Sequence, residues 1–190
     1  MGGRPKPLIE RDGVPLVRRV AGALVEAGVG EIVVVLGHRA QDVGQALAGL
    51  PVRCLMHEGY AAGHVSSLRA GLGALNGMAE AVIVALADQP LLEADDVRTL
   101  MRAFEGRGMA RALVPRVVGV RGHPVLLDWD ACLEILAGDA TFGARQWMDA
   151  NPTQVAWFDC ENLRYCEDVD SAGDLERIAQ HHGCAMRWPE

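Results

Sequence analysis

AVIVALADQP, residues 81–90, is a strand followed by what a strand can deliver. From Ala81 to Ala87 every residue is apolar, with no polar alternation, which marks a strand covered on both faces, as in a parallel sheet flanked by helices. Asp88 then arrives at the carboxyl end, and Pro90 turns the chain away. In open parallel sheets, ligands bind at that end, where loops and helix N-termini gather. Two readings of Asp88 stand: a Mg²⁺ ligand, since magnesium takes one or two carboxylates plus substrate phosphates, or a turn cap ahead of the next helix.

Towards the amino end the same grammar repeats. Glu31 to Leu36 is a second doubly covered strand. Before it, Leu16, Val20, Leu24 and Ala27 line one face of a helix over Pro15–Ala27, stopped by Gly28 and Gly30. A helix over Gln41–Leu50, a short strand over Val52–Met56 and a helix over Val65–Leu75 complete the alternation. Towards the carboxyl end come a helix after Asp95 and two β-like pieces around glycines in residues 112–127, read as a small antiparallel element. Helices at Ala131–Leu136 and Phe142–Met148 and a strand at residues 153–159 follow. Ser171 opens a last helix, with Asp174 as its capping-box acid. Alternating strands and helices predict an α/β fold: a three-layer, mostly parallel, Rossmann-like sheet in a single domain over residues 1–190.

Composition narrows the function classes. Half of the 190 residues are apolar, and 18 basic against 25 acidic residues give a net charge of −7. That balance argues against non-specific nucleic-acid or membrane binding, while leaving room for a local basic mouth. With no membrane-length apolar run and no leader-like segment, the expected location is the cytoplasm. Cys54, Cys132, Cys160, Cys166 and Cys184 lack CxxC spacing and read as reduced thiols. His181-His182-Gly183-Cys184 reads as a polar, frayed tail rather than a zinc site.

Further candidates sit at predicted strand ends. In EDVDSAGDL (167–175), Asp168 and Asp170 are two apart, and only one is expected to share the cleft of Asp88; Asp170 is equally a helix N-cap. In GYAAGHVSSLRAGL (59–72), Gly63, Ser66 and Ser67 suit a ligand's base or phosphate, or Ser66 is simply an N-cap. His123, before a proline and a strand, is structural or catalytic. MGGRPKP (1–7) offers Gly2, Gly3 and Lys6 as part of a phosphate loop, because small residues let backbone N–H groups approach phosphate oxygens while the lysine neutralises charge.

Taken in order, these pieces resemble the MobA-like nucleotidyltransferases, and within them the molybdenum cofactor cytidylyltransferases. Met1 to Lys6 looks like the RMGxxK end of the family's LAAGxSxRMGxxK. Residues 63–72 are similar to GMxSSLxxGL, with His64 in place of methionine. Leu86 to Pro90 matches LxDQP, Gly122-His123-Pro124 matches GHP, Gly138-Asp139 with Gly143-Ala144-Arg145 resembles GDxGAR, and Asp168 to Leu175 resembles DIDTPEDL. The resemblance implies that CMP is transferred from CTP to a phosphorylated acceptor such as molybdopterin, with release of pyrophosphate. It places Lys6 on the phosphates, Asp88 and Asp170 on Mg²⁺, and Gly63, Ser66 and Ser67 near the base, with His123, Gly138, Asp139 and Arg145 on the acceptor side. A molybdoenzyme or an insertion chaperone is the implied protein partner. Rival readings are a MobA-like enzyme on another acceptor, the NAD(P)H-dependent oxidoreductase branch that acts on a nicotine-derived pigment, and a catalytically weakened cofactor chaperone. The family's first strand and LAAGxSxR have no counterpart here. The sheet is therefore expected to show a gap beside Ala81–Leu86, with marginal stability.

Overall fold

The computed structural model describes residues 5–75, 77 and 79–189; the proposed phosphate-loop glycines Gly2 and Gly3 lie outside them. In chain order the elements are β1 (Glu10–Arg11), β2 (Val14–Pro15), α1 (Leu16–Ala27), β3 (Val33–Leu36), α2 (Ala40–Ala46), β4 (Arg53–Met56), α3 (His64–Ala74) and β5 (Ala81–Val84). Then come α4 (Ala94–Glu105), β6 (Ala112–Val117), β7 (Val120–Arg121), β8 (Val125–Asp128), α5 (Trp129–Ala137), α6 (Ala144–Ala150), β9 (Val155–Cys160), α7 (Ala172–His182) and β10 (Met186–Arg187). This is the expected α/β alternation. Gly28 closes α1 in the left-handed conformation at φ 87°, where a side chain would be strained.

β3 and β4 pair in parallel, as do β6 and β9. β8 is antiparallel, as expected of the pieces around the glycines, and it lies within the main sheet between β5 and β6. The connection from β6 to β8 is too short for a parallel crossover, so the chain can only return antiparallel. Because Val125, Leu126 and Leu127 are all buried, the returning strand is covered on both faces. β7 joins the same sheet through the tight β6–β7 hairpin, with Val118 and Gly119 at positive φ, and the antiparallel sheet that stands apart is β10–β1–β2.

β5 is covered on both sides, as its apolar run requires. Val82 joins the cluster of Leu127, Ile135 and Trp147 under α5 and α6, while Ile83 packs towards α4 with Val97 and Leu100. Among the described residues β3 is hydrogen-bonded to β4 alone and β5 to β8 alone, so no described strand joins the two sheets. Between them runs an apolar cavity of about 940 Å³ lined by both strands and by Val20, Leu24, Leu68 and Leu72. The gap expected beside Ala81–Leu86 is present.

The carboxyl end corrects the reading of a frayed tail. α7 runs through His182, whose Nε2 lies 3.1 Å from Glu167. The chain then forms β10 against β1, because Cys184, Met186 and Trp188 pack onto the cluster of Ile9, Leu16 and Val169. The five cysteines are free thiols. Among the described residues no helix is long and apolar enough to cross a membrane.

Candidate functional site

One apolar cluster assembles the site. Ile9, Leu91 and Val169 are buried together with Leu16, Leu175 and Ile178; they lie three residues after Lys6, three after Asp88 and one before Asp170. Burying these neighbours brings three distant stretches of chain to one point. The Val169 amide donates to the Asp88 carbonyl at 3.1 Å, and Arg11 donates to the Pro90 carbonyl at 3.0 Å. The Lys6 ammonium lies 2.5 Å from an Asp170 oxygen and 3.9 Å from an Asp88 oxygen.

Burial pushes the Asp88 carboxyl above the ordinary carboxylate range; Lys6 and a backbone hydrogen bond pull it back, and Asp168 and Asp170 add to the rise. Burial alone would lower the Lys6 ammonium, but its bond to Asp170 and the charges of Asp170, Asp88 and Asp168 outweigh that and raise it. The two partners therefore differ: Lys6 is satisfied mainly by Asp170, and Asp88 remains short of positive charge. The charge of Asp168 also reaches both Lys6 and Asp88. Positions 168 and 170, both exposed, flank the fully buried Val169. Asp170 is not the N-cap of α7. Ser171 is, in a reciprocal box with Asp174, which also accepts the Asp170 amide at 3.1 Å.

The segment from residue 57 to 72 forms a second region. The N-cap of α3 is Gly63, at φ 102°, so Ser66 lies inside the first turn. Its hydroxyl is 2.6 Å from His57 Nε2 and 3.3 Å from the Gly59 carbonyl. Ser67 lines the apolar cavity. Arg69, one turn on, donates to the carbonyls of Leu136 at 2.9 Å and Gly138 at 3.1 Å, and also to Ile135, closing the C-terminus of α5. The turn containing Gly138 and Asp139 is thereby tied to α3, and a Cβ at Gly143 would meet Val65 at 2.9 Å. Asp139 accepts from the Thr141 amide and hydroxyl at 2.8 and 2.6 Å. Arg145 points outward, 81% exposed and 4.0 Å from Asp149.

His123 is held by its backbone. Its amide donates to the Tyr165 carbonyl at 2.7 Å, and its carbonyl accepts from Gln89 at 3.0 Å. Its Nδ1 is buried without a partner, and burial, followed by the nearby His64, holds the imidazole below its ordinary range.

The MobA-like NTP transferase domain model matches residues 1–155. The chain belongs to this family. A nicotine blue oxidoreductase from Paenarthrobacter nicotinovorans is 33% identical over 94% of this chain and 89% of its own. Among solved structures, a nucleotidyl transferase from Methanothermobacter thermautotroptrophicus superposes with TM-score 0.76 at 24% identity, over 93% of this chain and 84% of that one. A Mycobacterium tuberculosis protein solved as a manganese complex gives 0.72 at 20% identity, over 93% and 91%. A CMP:2-keto-3-deoxy-manno-octonic acid synthetase complexed with CTP gives 0.69 at 15%, over 94% and 91%. At these identities the superpositions speak for the fold.

In this MobA-like chain the carboxylates fit a divalent cation. Asp88 and Asp170 already converge on one positive charge, Asp88 is short of compensation, and hard carboxylate oxygens suit Mg²⁺ or Mn²⁺. Among the described residues no three His, Cys, Asp or Glu side chains converge as a metal site, so phosphate oxygens would have to complete such a shell. Sequence reasoning missed three residues of this MobA-like site. Gln89, 2% exposed, ties the Asp88 turn to His123 and Tyr165. Its signal was the amide within LxDQP. Arg69 and His57 gave none, because their partners are backbone carbonyls and a serine nine residues away.

Proposed function

We propose that this chain transfers CMP from CTP to a phosphorylated acceptor of the molybdopterin kind. A phosphate oxygen of the acceptor attacks the α-phosphorus, a new P–O bond forms, the bond to the β-phosphate bridging oxygen breaks, and pyrophosphate leaves. Lys6 would give up Asp170 to neutralise the phosphates, and Asp88 and Asp170 would hold Mg²⁺, which when bound would supply charge neutralisation for an in-line displacement. Gly63, Ser66 and Ser67 receive the base. His123, Gly138, Asp139 and Arg145 face the acceptor.

The observation that carries this reading is the meeting of the two carboxylates Asp88 and Asp170 with the single lysine Lys6. Such a cluster suits phosphoryl chemistry, which needs positioning and charge more than a covalent nucleophile. The full-length likeness to a protein named as an oxidoreductase favours a second reading, NAD(P)H-dependent reduction of an aromatic substrate. The two separate in one experiment. With CTP, Mg²⁺ and molybdopterin, release of pyrophosphate supports the first reading. Nucleotide-independent oxidation of NADH or NADPH, without pyrophosphate, replaces it with the second.

A further inference from the structure

The Ser66 hydroxyl carries one proton, and the structure spends it internally. His57 Nε2 lies 2.6 Å from Ser66 Oγ, and the Gly59 carbonyl lies 3.3 Å from the same oxygen. A carbonyl can only accept, while the imidazole nitrogen donates or accepts according to tautomer. If Ser66 donates to Gly59, His57 donates to Ser66 and one lone pair stays open. If Ser66 donates to His57, no proton is left either. In both arrangements the hydroxyl proton is directed to a partner within the protein, and the oxygen shows an incoming group lone pairs.

The surroundings hold this arrangement in place. His57 is anchored through its amide to the Leu36 carbonyl at 2.9 Å, at the end of the parallel β3–β4 pair. A Cβ at Gly59 would come within 2.9 Å of the imidazole edge and 3.7 Å of Ser66 Oγ, so the loop passes close over both groups. Ser66 itself stands in the first turn of α3, where the orphan N–H groups are the donors. The hydroxyl is thus the acceptor in a neighbourhood of donors.

We infer that His57 is a positioning residue that fixes Ser66 as a hydrogen-bond acceptor, and that Ser66 selects a pyrimidine bearing an exocyclic amine over one bearing a carbonyl at that place. The inference rests on the proposal that the base lies at Gly63–Ser67. An amine satisfies the open lone pair; a carbonyl oxygen faces it lone pair to lone pair, and a buried polar group left without a partner is where hydrogen-bond discrimination arises.

The test is equilibrium binding of CTP and of UTP, with Mg²⁺, to the whole chain and to three variants. Wild type should prefer CTP by about tenfold or more, a modest value for a site that reads one hydrogen-bonding group. S66A and H57F should bring the CTP-to-UTP ratio close to one, S66A by weakening CTP, and H57F by freeing the hydroxyl to rotate and donate. H57Q, whose amide nitrogen donates from the place of Nε2, should keep the preference. A residue that merely supported the loop would move both affinities together and leave the ratio alone. If S66A and H57F bind nucleotide with the wild-type ratio, or if wild type binds both pyrimidines equally, the inference is overturned while the nucleotide site stands. If wild type binds neither, the site reading itself fails and takes the inference with it.

Discussion

Asp88 is the residue on which chemistry and stability pull apart. Its folded pKa is raised by burial, so the folded state holds the proton more tightly than the unfolded chain does. Stability is then lost as pH rises from the ordinary carboxylate range through the raised value. Asp88→Asn carries no such loss. The variant should melt at or above the wild-type temperature at neutral pH, with the difference shrinking on acidification. Its CTP turnover should fall on the order of a hundredfold or more, the scale of removing one charge-stabilising group. A variant that melts well below wild type at neutral pH would show that the Asp88 carboxylate is a net structural support. Asp88 was legible because an unbroken apolar run ends on it, and Asp170 because an acid pair precedes a capping box. The amide of Gln89 was visible within LxDQP but its role was not, since a buried amide looks like any polar residue until the carbonyls of His123 and Tyr165 are placed around it. Nor was the pairing of Lys6 with Asp170, since separation in sequence says nothing of which acid a lysine will choose.

At the level of elements, α7 starts from a reciprocal box in which Ser171 and Asp174 serve each other and Asp174 also takes the Asp170 amide. Ser171→Ala should cost about 0.5–2 kcal/mol of unfolding free energy, as lost N-caps do, read from denaturant midpoints. It should also weaken nucleotide-dependent Mg²⁺ binding, because Asp170 is the residue next to the cap. A stability loss with Mg²⁺ affinity intact would separate the helix start from the cation. A second element test is Gly122→Ala. A Cβ there would approach the Tyr165 carbonyl oxygen at 2.6 Å, and that backbone is itself bonded to the His123 amide. Destabilisation of about 1–3 kcal/mol is expected, the usual cost of forcing extra volume into packed structure, and a melting curve that matches wild type would show that the backbone yields. Helices with one apolar stripe and strands without polar alternation could be read directly, which is why α1, β3, β5 and α7 fall where expected. β8 was read as antiparallel, as it is, but VLL is equally apolar at any position in a sheet, so its insertion between β5 and β6 was not legible.

Across the whole molecule the main sheet is unevenly bonded. β6 is paired on both sides, with β8 and β7 along one edge and β9 along the other, whereas among the described residues β5 is paired only with β8. Amide exchange should divide accordingly: protons of β6 should be the slowest, and those of β3 and β5 that face the cavity should exchange faster by two or more orders of magnitude. Uniform protection across β3, β5 and β6 would mean that the cavity edges are satisfied in solution. The sheet β10–β1–β2 sets a different constraint, on time. Glu10 pairs with Arg187 across 177 positions, and Lys6 with Asp170 across 164. Contacts of such span form only after the intervening chain has condensed, since closing long loops costs entropy before it is repaid, and topologies rich in them fold slowly. On dilution from denaturant, the helical signal should return first and nucleotide binding in a later phase. In between, the chain would already be largely helical yet unable to hold a triphosphate, its two ends not having met.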